Sequence, residues 1–105
     1  VRIPVETGHS ESVYVELENG SPTVDEIKQL LNDFDGITVQ DDPKQQLYPM
    51  PAHSVGKSDV FVGRIRKDLD RENGIHMWIV SDNLLKGAAL NSVQIAESLL
   101  KQGLL

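Results

Sequence analysis

Two β-favouring runs, Val60 to Leu69 and Ile75 to Val80, are separated only by DRENG, and they constrain this chain more than any other feature. Runs of this composition joined by so short a polar segment read as an antiparallel hairpin. Asn73–Gly74 inside that segment is the kind of pair that supplies the positive φ angles of a tight turn. A third strand is readable at Val13–Leu17, where Val13, Val15 and Leu17 alternate with Tyr14, Glu16 and Glu18. Asn19–Gly20 closes it with a turn. Arg2 to Val5 also looks extended, and Pro4, which cannot donate to a ladder, favours an edge position for it.

Helices flank these strands. Thr23 and Glu26 form a T-x-x-E capping box, in which each side chain satisfies an amide at the helix start. Val24, Ile27, Leu30, Leu31 and Phe34 then make one apolar stripe over Thr23–Phe34, and Gly36 is placed to stop the helix. Ile37 to Val39 reads as a short strand. Asp41 to Ser58 is long and irregular, broken by Pro43, Pro49 and Pro51, and loops of that length in compact domains usually serve a site or an interface. The chain ends in helix: a short turn near Leu84–Leu85, then Ser92 to Gln102 with Asn91 as N-cap and Gly103 as stop. The order strand, strand, helix, strand, hairpin, helix describes an α+β domain, with a mainly antiparallel or mixed sheet and helices packed on one face.

At 105 residues the chain amounts to one domain. Its net charge of −6 argues against a nucleic-acid partner, which needs a basic footprint. No apolar run approaches the ~20 residues that span a bilayer. The absence of cysteine removes disulfides, thiolate metal sites and a cysteine nucleophile from this chain. The sequence starts at Val1, already inside what reads as a strand, so a piece of a longer polypeptide is the expectation.

Chemistry concentrates in RIPVETGHSE, where Arg2, Gly8 and His9 lie close together. An imidazole titrates near neutrality and suits general acid/base work; the competing reading is a structural or surface histidine. Arg2 offers a planar fork for a carboxylate or phosphate, or equally a strand arginine paired with a surface acid. Arg64 and Arg66 share a strand face opposite Lys67, a pattern that fits a solvated or interface-lining strand better than an anion site. Trp78 shares a face with His76 and Val80 and reads as packing. His9, His53 and His76 have no short ligand spacing, so no metal site is expected. DLDRENG lacks the glycine position and closing glutamate of a calcium loop. No G-x-G-x-x-G or phosphate loop is present.

Taken together, RIPVETGHSE, the YPMP…VGKSDVFVGRIRKD stretch and SDNLLKGAALNSVQIAE resemble the C-terminal part of bacterial aspartate-semialdehyde dehydrogenases, three motifs in order over nearly the whole chain. The resemblance implies a catalytic and dimerisation domain that pairs two subunits, as a homodimer or homotetramer, in a cytoplasmic enzyme. That family reduces L-aspartyl 4-phosphate with NADPH through a cysteine thioester, in the biosynthesis of lysine, threonine and methionine. By similarity His9 matches the acid/base histidine, Arg2 the arginine that grips the substrate carboxylate, and Asn83 a polar position that contacts the nicotinamide cofactor. The nucleophilic cysteine and the dinucleotide-binding domain are then expected upstream. Residues 1–105 alone are accordingly expected to be inactive and to bind no NADP. The last helix is expected to pack toward the cofactor domain, leaving Leu99, Leu100 and Leu104 exposed or covered by another copy. Two other readings stay open: a non-catalytic dimerisation module, and a related reductase acting on N-acetylglutamyl phosphate.

Overall fold

The computed structural model describes residues 1–104. Its centre is a four-stranded mixed sheet in the order β1-β4-β3-β2. Strand β1 is His9–Glu16, β2 Ile37–Val39, β3 Val60–Lys67 and β4 Gly74–Ser81. β3 and β4 pair antiparallel as the expected hairpin, and β1 adds antiparallel to β4 from His9↔Ser81 to Glu16↔Gly74. β2 runs parallel to β3. Parallel neighbours cannot be joined by a tight turn and need a dozen or more residues of crossover. That requirement accounts for the length of the segment between them, which carries a 3-10 turn at Pro43–Gln45 and a short helix, α2, at Pro51–Ser54.

Helix α1, Val24–Asn32, covers one face. Thr23 caps it as expected: its hydroxyl accepts from the Glu26 amide, and the Glu26 carboxylate accepts from the Thr23 amide. Ile27 is buried against Val62, Ile65 and Ile75, with Val24 and Leu31 packed around them. The apolar stripe is narrower than the sequence implied. Leu30 is 71% and Phe34 65% exposed, because only the Val24–Ile27–Leu31 line faces the sheet and the helix ends before Phe34. The crossover covers part of the other face, where Val80, Pro49, Ser10 and Ser54 are fully buried and the Trp78 indole N–H donates to the Pro49 carbonyl at 3.0 Å.

Several local expectations give way to tertiary structure. Arg2–Val5 joins no strand; the Val1 ammonium donates to the Ser10 carbonyl at 3.0 Å, holding this segment beside the start of β1. β1 itself begins at His9, earlier than the alternation suggested. Neither Asn73 nor Gly74 has a positive φ. The Asp68 carboxylate shapes that turn instead, accepting from the Asp70 and Arg71 amides at 3.0 Å each. Gly74 is required for a different reason: a Cβ there would lie 2.7 Å from the Asp68 Cβ and 2.9 Å from the Tyr14 hydroxyl. In β3 the register shifts between Gly63 and Arg66, and Arg64 adopts φ 54°. The nearly inaccessible Asp41 carboxylate holds this bulge, accepting from the Arg64 and Ile65 amides while pairing with Lys28 at 2.9 Å.

The C-terminal helix α3 is Leu90–Lys101, entered directly from a π-helical turn at Leu85–Ala89. Its expected cap at Asn91 is not formed, because Ala89 is already helical and the chain needs no separate start. Gly103, at φ 69°, ends it as expected. α3 packs chiefly against the π turn and has no buried residue; Leu100 and Leu104 are exposed. No helix among the described residues is long and apolar enough to cross a membrane.

Candidate active site

The antiparallel register places His9 opposite Ser81, the last residue of β4, so the segment after β4 lies beside the segment that precedes β1. Two candidates from distant parts of the sequence meet there. The Asn83 side-chain oxygen accepts from the Gly8 amide at 2.8 Å, across 75 positions of sequence. Gly8 takes φ 98°, open to glycine and strained for other residues. Space enforces the same choice, since an added Cβ would sit 3.0 Å from the Cβ of Pro51 on α2. His9 leaves this bend as the first residue of β1.

His9 projects on the same side of β1 as Glu11, and its Nε2 lies 2.8 Å from Glu11 Oε1, both side chains about half exposed. Exposed pairs of this kind are worth at most about 1 kcal/mol, so an incoming substrate can displace the carboxylate at small cost. In a neutral imidazole that donates Nε2–H to Glu11, Nδ1 is the nitrogen open to accept a proton. Strand periodicity carries the signal for Glu11, since residues i and i+2 share a face. Arg2 is exposed, and its guanidinium makes no ion pair among the described residues. The Val1–Ser10 bond holds the backbone next to Arg2 beside the start of β1.

Asp82 is the other residue missed. It is only 4% exposed, and its two oxygens accept three backbone amides: Leu84 at 2.8 Å and Leu85 at 2.9 Å on one, Gly56 at 2.8 Å on the other. The Gly56 amide, followed by that of Leu85, holds its carboxyl below the usual range against the opposing effect of desolvation. An aspartate followed by free amides two and three residues on is a recognisable turn signal; the long-range partner Gly56 is not.

A cavity of about 400 Å³ opens elsewhere, lined by Tyr48, Pro49, Arg64, Arg66 and Trp78. None of Arg2, His9 or Asn83 lines it. Arg66 folds back on β3, donating to the Arg64 carbonyl at 2.7 Å, and both arginines stand exposed on the strand, with Lys67 turned toward Pro22 ahead of α1.

Comparison with known proteins places this arrangement in a family. The model of the semialdehyde dehydrogenase dimerisation domain matches residues 1–86. The chain is 70% identical over 104 residues to an aspartate-semialdehyde dehydrogenase of Bacillus subtilis, covering 99% of this chain and 30% of that protein. Against the enzyme of Aquifex aeolicus the identity is 52%, over 100% of this chain and 31% of the relative. Among solved structures, aspartate semialdehyde dehydrogenase II of Vibrio cholerae complexed with ASA superposes with a TM-score of 0.82 at 39% identity, covering 95% of this chain and 29% of that one. The Candida albicans enzyme with NADP gives 0.76 at 29% identity, over 99% of this chain and 33% of that one. The chain thus spans about 30% of the length of the curated relatives it matches. With its mixed sheet and its joined Gly8–His9 and Asp82–Asn83 segments, it belongs to the semialdehyde dehydrogenase dimerisation-domain family.

Proposed function

We propose that this chain is the dimerisation-domain part of a cytoplasmic, homo-oligomeric enzyme that reduces L-aspartyl 4-phosphate to aspartate semialdehyde. The remainder of that enzyme would contribute the dinucleotide-binding domain and the cysteine nucleophile. The observation that carries the reading is the Gly8 amide–Asn83 bond, which brings the histidine and asparagine segments to one end of the sheet. In this reading His9 takes the thiol proton and later returns a proton to the reacting oxygen, with Glu11 holding the imidazole until substrate enters. Arg2, which makes no ion pair among the described residues, grips the substrate carboxylate through two parallel hydrogen bonds.

The nicotinamide cofactor fits the groups present in one respect. Asn83 is exposed and its oxygen is committed to Gly8, which leaves its NH₂ for a carboxamide oxygen. When bound, NADPH supplies the hydride; this chain's part is to hold and orient.

The test is phosphate-dependent reduction of NADP by the intact enzyme, with aspartate semialdehyde and N-acetylglutamate semialdehyde compared as substrates. Turnover favouring the aspartate compound is expected. Preference for the N-acetylglutamyl compound would move the assignment to that branch, and no turnover with either would leave a dimerisation module.

A further inference from the structure

We propose that Asp82 is the positioning residue for the acid/base histidine, acting on the Gly8–His9 bend from two directions at once. The proposal rests on the function proposed above. Its geometric basis is that one buried carboxylate controls both walls of that bend.

On the first route, Asp82 accepts from the Leu84 and Leu85 amides and folds residues 82–85 into a tight turn. The turn holds Asn83, the intervening residue, where its oxygen receives the Gly8 amide at 2.8 Å. On the second route, the other carboxylate oxygen accepts from Gly56 at 2.8 Å. Gly56 is the second residue past α2, at φ 81°, and Val55 between them is tied back to the Pro51 carbonyl at 3.1 Å. Pro51 and Val55 are the side chains an added Cβ at Gly8 would meet, at 3.0 and 3.4 Å. Gly8 is therefore bonded from one side and buttressed from the other, and both supports end on Asp82. Because Gly8 immediately precedes His9, its backbone angles set where β1 begins and where the imidazole points.

Only a carboxylate satisfies this arrangement. Three amide donors converge on two oxygens, and both oxygens must accept. Asparagine presents one acceptor and one donor, so Asp82→Asn keeps one tie and sets an NH₂ against an amide N–H at the other. The substitution is small, polar and outside the reacting groups, which makes it a probe of positioning.

The experiment is steady-state kinetics on the intact enzyme at saturating NADP, comparing wild type, Asp82→Asn, His9→Asn and the double variant, with circular dichroism giving the folded fraction. Displacing a catalytic group by about 1 Å can cost on the order of 100-fold, so Asp82→Asn should lower kcat by about 10- to 100-fold while KM for the semialdehyde stays within about 3-fold. If Asp82 acts through His9, adding Asp82→Asn to His9→Asn should cost little more, since residues on one route are not additive. Full kcat per folded molecule in Asp82→Asn, with only thermal stability reduced, would overturn the proposal in favour of a purely structural role. So would losses that multiply in full in the double variant. Unchanged activity in His9→Asn would instead remove the function reading beneath it, and the proposal with it. Should Asp82→Asn not fold, Asn83→Ala and Asn83→Asp decide. Alanine cuts the tether to Gly8 and must lower kcat non-additively with His9→Asn; aspartate keeps the acceptor for Gly8 and gives up only the cofactor contact, so any loss it causes must multiply in full with that of His9→Asn. Equal kcat in the alanine variant and wild type would sink the idea.

Discussion

The two ends of the β3–β4 pair are each organised by an aspartate, and they differ in how far those aspartates reach. At the hairpin end, Asp68 accepts from Asp70 and Arg71 and pairs with His76 at 2.6 Å, eight residues away. At the open end, Asp82 also accepts from amides two and three residues on, but its remaining oxygen reaches Gly56, 26 residues away. Its neighbour Asn83 reaches Gly8, 75 residues away. At the hairpin end the aspartate's own partners all lie within the hairpin, and β1 joins that turn separately, through the Asn73 side chain and the Leu17 carbonyl. The open end exists only after three separate segments have converged, and the candidate catalytic groups stand there. Local turn chemistry has become a means of fixing a site assembled from distant sequence.

If this contrast is right, crowding the crossover should hurt more than crowding the hairpin turn. A Cβ at Gly63 would lie 2.2 Å from the Gln40 carbonyl oxygen and 2.5 Å from Pro49 Cδ, a collision with backbone that no rotamer relieves. Gly63→Ala should destabilise by about 3–5 kcal/mol, the range reserved for severe core faults, as read by urea unfolding. A loss near zero would mean that the crossover does not lie against β3. Arg2→Leu should act on function and leave the fold untouched: substrate binding in the intact enzyme weakens by about 1.5–3 kcal/mol when the substrate carboxylate loses its charge-assisted hydrogen bonds. Unchanged KM and turnover would remove Arg2 from the site. Gly74→Ala at the hairpin end should cost less, about 1–3 kcal/mol, because the Tyr14 hydroxyl can swing away even though the Asp68 Cβ cannot.

Acid should reveal both aspartates, with smaller effect. Asp68 is held below the usual carboxylate range chiefly by its bond to His76, and Asp82 by the Gly56 amide. A carboxyl whose folded pKa is depressed contributes stability above its unfolded pKa, near 4, and loses it as pH falls through the folded value. Unfolding free energy should therefore decline with acidification below about pH 4, and less steeply in Asp82→Asn. Identical slopes would show that Asp82 is not stabilised in its charged form.

The sequence showed what depends on near neighbours. The capping box at Thr23 and Glu26, the alternation along β1, the hairpin and the Gly103 stop all follow from residues within a few positions of one another. What escaped it was non-local. The parallel pairing of β2 with β3, the bulge at Arg64 held by Asp41, and the loss of any strand at Arg2–Val5 depend on where other segments pack. The turn at Asn73–Gly74 misled for the same reason, since crowding by Tyr14 and Asp68 selects the glycine there. In the site, motif resemblance points to His9 and Asn83, but the bond that ties Asn83 to the Gly8 amide, next to His9, emerges only from the fold. Glu11 was within reach of simple strand periodicity; the long arm of Asp82 was not.

The central claim is that the open end of the sheet holds His9 as the proton carrier of a semialdehyde dehydrogenase. Steady-state turnover of the intact enzyme carrying His9→Asn, measured across pH beside wild type, tests it most directly. The expected result is a folded, oligomeric variant whose kcat is lower by about 10²–10⁴-fold at every pH, the usual worth of a positioned acid/base group. A folded variant with full kcat would contradict it.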